Sequence, residues 1–286
     1  MNYFKKVKNI SIVYFSGTGG TKRVASDLSK ALDIESTIYN VSDKFINIGD
    51  MLILLAPVHA MDFPYPIYDF IKSLDKCNKP AIVISVSGGG NVFPNLGCRN
   101  KTIKKLTKKG FNVVYEEMIV MPSNAISRTP DTINYKLFEV LPNKINNIVE
   151  DLKKGVIKRF KIRTIDKFTA MLIGNLEKFG AKKIGKRFKA NDTCTGCGLC
   201  AKNCSTSNIQ IIDGKPKFSN KCSLCMKCMY ICPNKSLQGN INDSFVLNDF
   251  EMINTKKNPT IKFNQQEYDN VIKKKLWKGL KEYIEK

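Results

Sequence analysis

Eight of the ten cysteines fall within 39 residues, from Cys194 to Cys232, and their spacing is the feature best suited to chemistry. Cys194, Cys197, Cys200 and Cys204, then Cys222, Cys225, Cys228 and Cys232, each follow C-x2-C-x2-C-x3-C, the second run repeating the first 28 positions on. A [4Fe-4S] cube needs four thiolates, and three on one tight loop can grip three of its corners. Zinc also takes tetrahedral thiolates, but its sites usually pair two CxxC knuckles rather than three close cysteines and a fourth. Two clusters are therefore the first reading and two zinc sites the alternative. Gly196 and Gly198 leave room for backbone amides to approach a sulfur, and Asp213-Gly214, between IQII and KPKF, reads as a hairpin turn.

A second candidate site is Ser16-Gly17-Thr18-Gly19-Gly20-Thr21, which joins an apolar run to a helical pattern. Backbone amides and the helix dipole converge at such a place to make an anion site. It is not a Walker loop, because Thr21-Lys22-Arg23 does not supply Gly-Lys-Ser/Thr, and Lys22 stands where the dinucleotide motif needs its third glycine. Hydroxyls at Ser16, Thr18 and Thr21 suit a terminal monoester phosphate instead. Two further loops end apolar runs: Ala56, Pro57, Val58, His59, Ala60 and Met61, and Ser87, Gly88, Gly89, Gly90, Asn91, Val92 and Phe93. His59, the single histidine, reads either as a ligand neighbour or as a packed residue. Cys98 has the same two readings, and Cys77, near a helix end, reads as structural.

The elements that must position these residues alternate. Residues 10–15, 51–56 and 81–86 are short β-branched runs of the kind buried on both faces, and 36–40 and 112–120 are weaker strands. Residues 21–32, 66–74, 99–109 and 131–154 read as helices, the last with a kink or restart expected at Pro142. This predicts a doubly wound, five-stranded parallel sheet whose three loops meet outside the strand ends. Ile165, Phe168, Leu172, Leu176 and Phe179 form one helical stripe expected to dock on a domain. Asn264 reads as the N-cap of a C-terminal helix with Tyr268, Ile272, Leu276, Leu280 and Ile284 on one face.

On these residues 1–155 resembles flavodoxin, whose phosphate loop and two flavin-flanking loops fall in this order. The resemblance implies FMN, its phosphate on Ser16 to Thr21 and its ring between the other two loops. Where flavodoxins commonly stack aromatics on the ring, this chain offers His59 and Met61 on one side and Asn91 or Phe93 on the other. The cysteine segment resembles the bacterial two-cluster ferredoxins, in which the last cysteine of each run ligates the opposite cluster. That implies Cys194, Cys197, Cys200 and Cys232 around one cube and Cys222, Cys225, Cys228 and Cys204 around the other. Cys232 is followed by Pro233 as in that family, whereas Cys204 is followed by Ser205. The order of the two parts is similar to that of the flavodoxin-ferredoxin fusion proteins of anaerobic bacteria. It implies a flavodoxin-like FMN-binding domain at 1–155, a basic, partly helical linker at 156–189, a small α+β two-[4Fe-4S] ferredoxin domain at 190–240, and an extension with an amphipathic helix at 241–286.

Composition excludes other classes. With 43% hydrophobic residues the chain can bury a core, so disorder and collagen are ruled out. No apolar run is long enough to span a membrane, and the cytoplasm is the expected compartment. The net charge of +22 attracts acidic proteins, nucleic acid or an anionic membrane surface. Residues 153–189 hold 13 Lys or Arg against two acids, 13 − 2 = 11 of that excess. Nucleic acid is disfavoured, because the basic segment has only Phe160, Phe168, Phe179 and Phe188 for base stacking and no recognised motif. The expected activity is electron transfer between FMN, two [4Fe-4S] clusters and acidic redox partners, converting between one- and two-electron carriers. A flavin-dependent reductase of a small molecule is the second reading.

Overall fold

The computed structural model describes residues 3–90, 92, 95–124, 128–238 and 250–286. Strands β1 (Asn9–Tyr14), β2 (Glu35–Asn40), β3 (Met51–Pro57), β4 (Pro80–Ser87) and β5 (Asn112–Val120) form one sheet in the order β2-β1-β3-β4-β5, every pair parallel. Helices α1 (Gly20–Ala31), α2 (Tyr65–Ser73) and α3 (Asn100–Lys108) make crossovers, and with α4 (Asp131–Lys154), which follows β5, they cover both faces. The order reverses between β1 and β3, which makes this the flavodoxin-like doubly wound fold.

Strand alternation builds the two cores. Ile10, Ile12, Tyr14, Ile53, Leu55, Ile82 and Ile84 turn to α1 and α4, while Val13, Phe15, Leu52, Leu54 and Val83 turn to α2 and α3. No restart occurs at Pro142: α4 runs unbroken for 24 residues. Proline removes one backbone donor there, but Phe138, Leu141, Ile145, Ile148, Val149 and Leu152 stay packed on the sheet to either side. Beyond α4, Lys158 donates its backbone N–H to Val114 and accepts from Glu116, covering part of the β5 edge.

Next comes α5 (Thr164–Lys186), and here the expected docking face is corrected. Its apolar stripe faces solvent, and the helix packs through Asp166, Ala170, Gly174, Ala181 and Gly185. Small residues allow backbone approach that the large ones would prevent: a β-carbon at Gly174 would overlap Asp62, and one at Gly185 would overlap Cys222. Asp62, almost fully buried, holds the helix by accepting from Lys178, from the Tyr68 hydroxyl and from the Phe63 N–H.

A small α+β unit follows. It comprises β6 (Lys189–Ala190) paired with β9 (Leu237–Gln238), the hairpin of β7 (Ile209–Ile212) and β8 (Lys215–Phe218), and helices α6 (Leu199–Lys202) and α7 (Lys227–Ile231). The Asp213-Gly214 turn has φ of 51° and 70°, as the hairpin requires. The internal repeat extends to the backbone: left-handed Gly196, Gly198 and Ser207 recur 28 positions on as left-handed Leu224, Met226 and Lys235. The C-terminal segment returns to the first unit. Asn264 caps α8 (Gln265–Ile272) by accepting from the Glu267 N–H at 2.9 Å, and a 3-10 turn at Lys275–Trp277 separates it from α9 (Lys278–Glu285). The expected single stripe is thus split: Tyr268, Ile272, Trp277 and Leu280 pack with Val120, Ile133 and Leu137, while Leu276 is exposed.

Candidate functional site

The turn from β1 into α1 is held by its own hydroxyls. Ser16 Oγ accepts from the Gly19 N–H at 3.2 Å, Thr18 Oγ1 accepts from Asn124 Nδ2 at 2.8 Å, and Ser16, Thr18 and Thr21 are all buried. Gly19, at φ 100°, turns the chain into α1, whose first turn carries no side-chain cap and no acid. A buried, hydroxyl-lined helix N-terminus of this kind fits a phosphate.

In the second loop the His59 and Asp62 backbones exchange hydrogen bonds of 2.8 and 3.0 Å across left-handed Ala60 and Met61. Burial pushes the His59 imidazole down to about 4, against a weaker opposing bond to the Ser223 backbone, so the ring is neutral at pH 7. In the third loop Ser87 Oγ accepts from the Gly89 N–H at 3.1 Å and from Asn95 Nδ2 at 3.2 Å.

These loops wall a cavity of about 460 Å³, within the range of small-molecule and cofactor sites. Ser16, Gly17, Thr18, Gly20, Thr21, Pro57, His59, Ala60, Ser87, Gly88 and Gly89 all line it. Gly19, Met61 and Gly90 are not among its lining; Gly19 and Gly90 instead lie against the backbones of Ile253 and Gly279. Asn91 and Phe93 lie outside the described residues. Cys98 is fully enclosed beside Arg99 and is not part of the lining; burial pushes its thiol up, which makes it inert packing.

Much of the remaining wall comes from residues outside these three loops. The loop after β5 adds Ser123 and Asn124, α5 adds Glu177 and Ile184, and the C-terminal segment adds Ile253, Leu276, Trp277 and Leu280. The last contribution comes from Leu224, Cys225 and Met226, inside the second cysteine run. Two hydroxyls clamp that run to the first unit: Tyr230 donates to the Asn124 carbonyl at 2.6 Å and Tyr65 donates to the Lys221 carbonyl.

The cysteines gather in two sets. Cys194, Cys197, Cys200 and Cys232 line one small cavity with Gly196, Gly198 and Pro233. Cys204 lies close enough to Cys222, Cys225 and Cys228 that its charge raises all three, although burial is the larger cause, pushing Cys222 up to about 12 and Cys225 and Cys228 in the same direction. Thiols so placed ionise only when a cationic centre compensates them. Backbone N–H groups already point at the sulfurs: Asn208 to Cys204 at 3.3 Å, its repeat partner Ser236 to Cys232 at 3.4 Å, and Leu224 to Cys222 at 3.3 Å. Such donors stabilise cluster thiolates, so both sets fit an iron-sulfur cube. Among the described residues no three or more His, Cys, Asp or Glu side chains are gathered so as to hold a single metal ion.

No family model and no curated protein matches the chain. Similar solved structures include a flavodoxin from the domain Archaea, 14% identical, with a TM-score of 0.35, covering 51% of this chain and 99% of that one. Oxidised flavodoxin 1 from Bacillus cereus is 19% identical, with a TM-score of 0.38 over 51% of this chain and 97% of that one. Rubredoxin oxygen:oxidoreductase from the anaerobe Desulfovibrio gigas is 15% identical, with a TM-score of 0.37 over 52% of this chain and 37% of that one. The assignment of the fold rests on the strand order itself.

The two kinds of site share a wall. Gly17 of the hydroxyl-lined turn and Cys225 of the second cysteine set both line the larger cavity, and a β-carbon at Gly17 would overlap the Cys225 carbonyl oxygen. Among the described residues no helix is long and apolar enough to cross a membrane.

Proposed function

We propose that the chain is an electron-transfer protein that binds FMN in the larger cavity and two [4Fe-4S] clusters on its cysteine sets. The observation that carries this reading is the shared wall, in which Gly17 of the proposed phosphate loop touches Cys225, a proposed cluster ligand, with no layer of protein between them. When bound, FMN supplies a centre that takes up to two electrons and each cube a centre that takes one, so the combination connects two-electron and one-electron carriers.

Within this reading Ser16, Thr18 and Thr21 receive the phosphate at the α1 N-terminus, and Pro57 to Ala60 and Ser87 to Gly89 flank the ring. His59, neutral and turned to the Ser223 backbone, shapes the wall rather than carrying charge. Cys225 joins Cys222, Cys228 and Cys204 as ligands of the cluster nearer the cavity, and Cys194, Cys197, Cys200 and Cys232 hold the farther one. The division into a flavin unit, a basic linker helix, a ferredoxin-like unit and a C-terminal extension follows the same reading. Its external partners are acidic redox proteins, which the charge of +22 would steer toward it.

Anaerobic purification followed by metal, sulfide and flavin analysis tests the proposal. About eight iron and eight labile sulfide per chain and one FMN are expected. Thr18→Val with Thr21→Val should reduce FMN content and leave iron unchanged. Zinc without sulfide would overturn the clusters, and FAD as the sole flavin would overturn the cavity assignment.

A further inference from the structure

The outward face of α5 is an apolar crest. Ile165, Phe168, Met171, Leu172, Leu176 and Phe179 are each between 49 and 63% exposed, and from Ile165 to Phe179 they run roughly 21 Å along the helix. Contiguous exposed apolar area of this size marks an interaction site rather than ordinary surface. Exposed Lys161 and Arg163 stand at one end, Arg163 paired with Asp166 at 3.0 Å, and exposed Lys182, Lys183 and Lys186 at the other. The helix's two acids, Asp166 and Glu177, turn inward, Asp166 onto the packed face and Glu177 into the cavity wall. Lys183 lies over the Phe179 ring, 4.4 Å from its centroid, its stem extending the apolar surface while its charge stays outside.

We propose that this crest seats the protein on an anionic membrane surface, with α5 lying in the plane of the interface. Three observations choose this occupant. The crest is the exposed face of a single helix laid on the body through its small residues, and a bilayer interface receives such a face without needing a matching groove. The outward face combines large apolar residues with basic ends and no acid of its own helix, the pattern that binds anionic lipid through apolar burial plus charge. A second copy would bring Lys and Arg against Lys and Arg in either helix orientation, which is repulsive. The inference is independent of the cofactor reading, because it uses only the outer side of α5.

The test is sedimentation of the full chain with vesicles of pure phosphatidylcholine and with vesicles containing about a quarter phosphatidylglycerol. Binding to the anionic vesicles alone is expected. Phe168→Asp with Leu172→Asp should weaken it about tenfold or more, as should Lys182→Glu with Lys183→Glu and Lys186→Glu, while circular dichroism and iron content stay unchanged. These sites are exposed, so the variants should fold. Absence of binding, or binding that the aspartate variant leaves intact, would overturn the proposal. A dimer in sedimentation velocity that this variant splits would assign the crest to a second copy. An acidic carrier protein that loses its complex in the same variant, with vesicles left unbound, would assign it to that carrier.

Discussion

Gly17 and Cys225, 208 positions apart in the chain, meet backbone to backbone with no space between them for a β-carbon. The contact places a turn at the end of β1 directly under the second cysteine loop. Tyr230 and Tyr65 hold that loop from either side through the carbonyls of Asn124 and Lys221. Geometry at the proposed phosphate loop and at the proposed second cluster is therefore coupled mechanically.

Gly17→Ala should disturb both at once. The obstacle is a main-chain carbonyl, which cannot rotate away as a side chain would, so a destabilisation of about 1–3 kcal/mol is expected. FMN affinity should fall, and the spectrum of the cluster proposed on Cys225 should change before that of the other. Gly180→Ala is the matched control, because nothing lies within 4 Å of a β-carbon there, and its helical setting should give a gain of about 0.5–1 kcal/mol. Thermal melts together with FMN titration separate the two variants.

Trp277, the single tryptophan, lines the cavity from the C-terminal segment, so its emission reports on that site alone. Saturating the flavin-free protein with FMN should quench it strongly. Trp277→Ala should weaken FMN by about 2 kcal/mol, roughly thirtyfold, while Trp277→Phe keeps most of the affinity through its remaining ring. Emission that ignores FMN would remove the C-terminal segment from the site.

The centre of the sheet was legible because β1, β3 and β4 are buried on both faces and read as continuous apolar runs, while the edge strand β2 is largely exposed and gave a weaker signal. The cysteine sets were legible because both their spacing and their repeat lie in the primary sequence. The docking of α5 was not. Its stripe of Ile165, Phe168, Leu172, Leu176 and Phe179 carries the apolar pattern of a buried face, but the packing is done by Gly174 and Gly185, whose advantage is the absence of a side chain. Periodicity weighs apolar bulk and gives no credit to backbone approach. Trp277 and Glu177 escaped for a different reason: each reaches the cavity from an element distant in sequence, and no local pattern marks a long-range contact.

Glu177 supplies a pH prediction. Burial raises its carboxyl to about 7, outweighing the lowering effect of Lys178. A raised carboxyl means that the folded state holds the proton more tightly than the unfolded chain does. Its contribution is therefore fully present below the unfolded value near 4.5 and is lost as pH rises toward 7. Glu177→Gln has no proton to release, so its stability relative to the parent should improve between about pH 4.5 and pH 7 and level off above that. Denaturant midpoints measured in parallel at several pH values check this, and a constant difference would show that Glu177 is ionised throughout.

The crossed arrangement of the cysteines gives the most discriminating prediction. Cys232 closes in the chain on Cys228 yet lines the cavity of Cys194, Cys197 and Cys200, and Cys204 sits electrostatically among Cys222, Cys225 and Cys228. If these are the ligand sets, Cys232→Ser should damage the cluster remote from the flavin cavity, and Cys204→Ser the one beside it. Only the second cluster shares a wall with the cavity, through Cys225, so only Cys204→Ser should also shift the flavin absorption and slow flavin reduction by the clusters. Electron paramagnetic resonance of the reduced variants distinguishes the lesions, and visible spectra report the flavin. Identical spectra from the two variants would overturn the crossed sets, and a flavin shift in Cys232→Ser alone would mean that each run serves its own cluster.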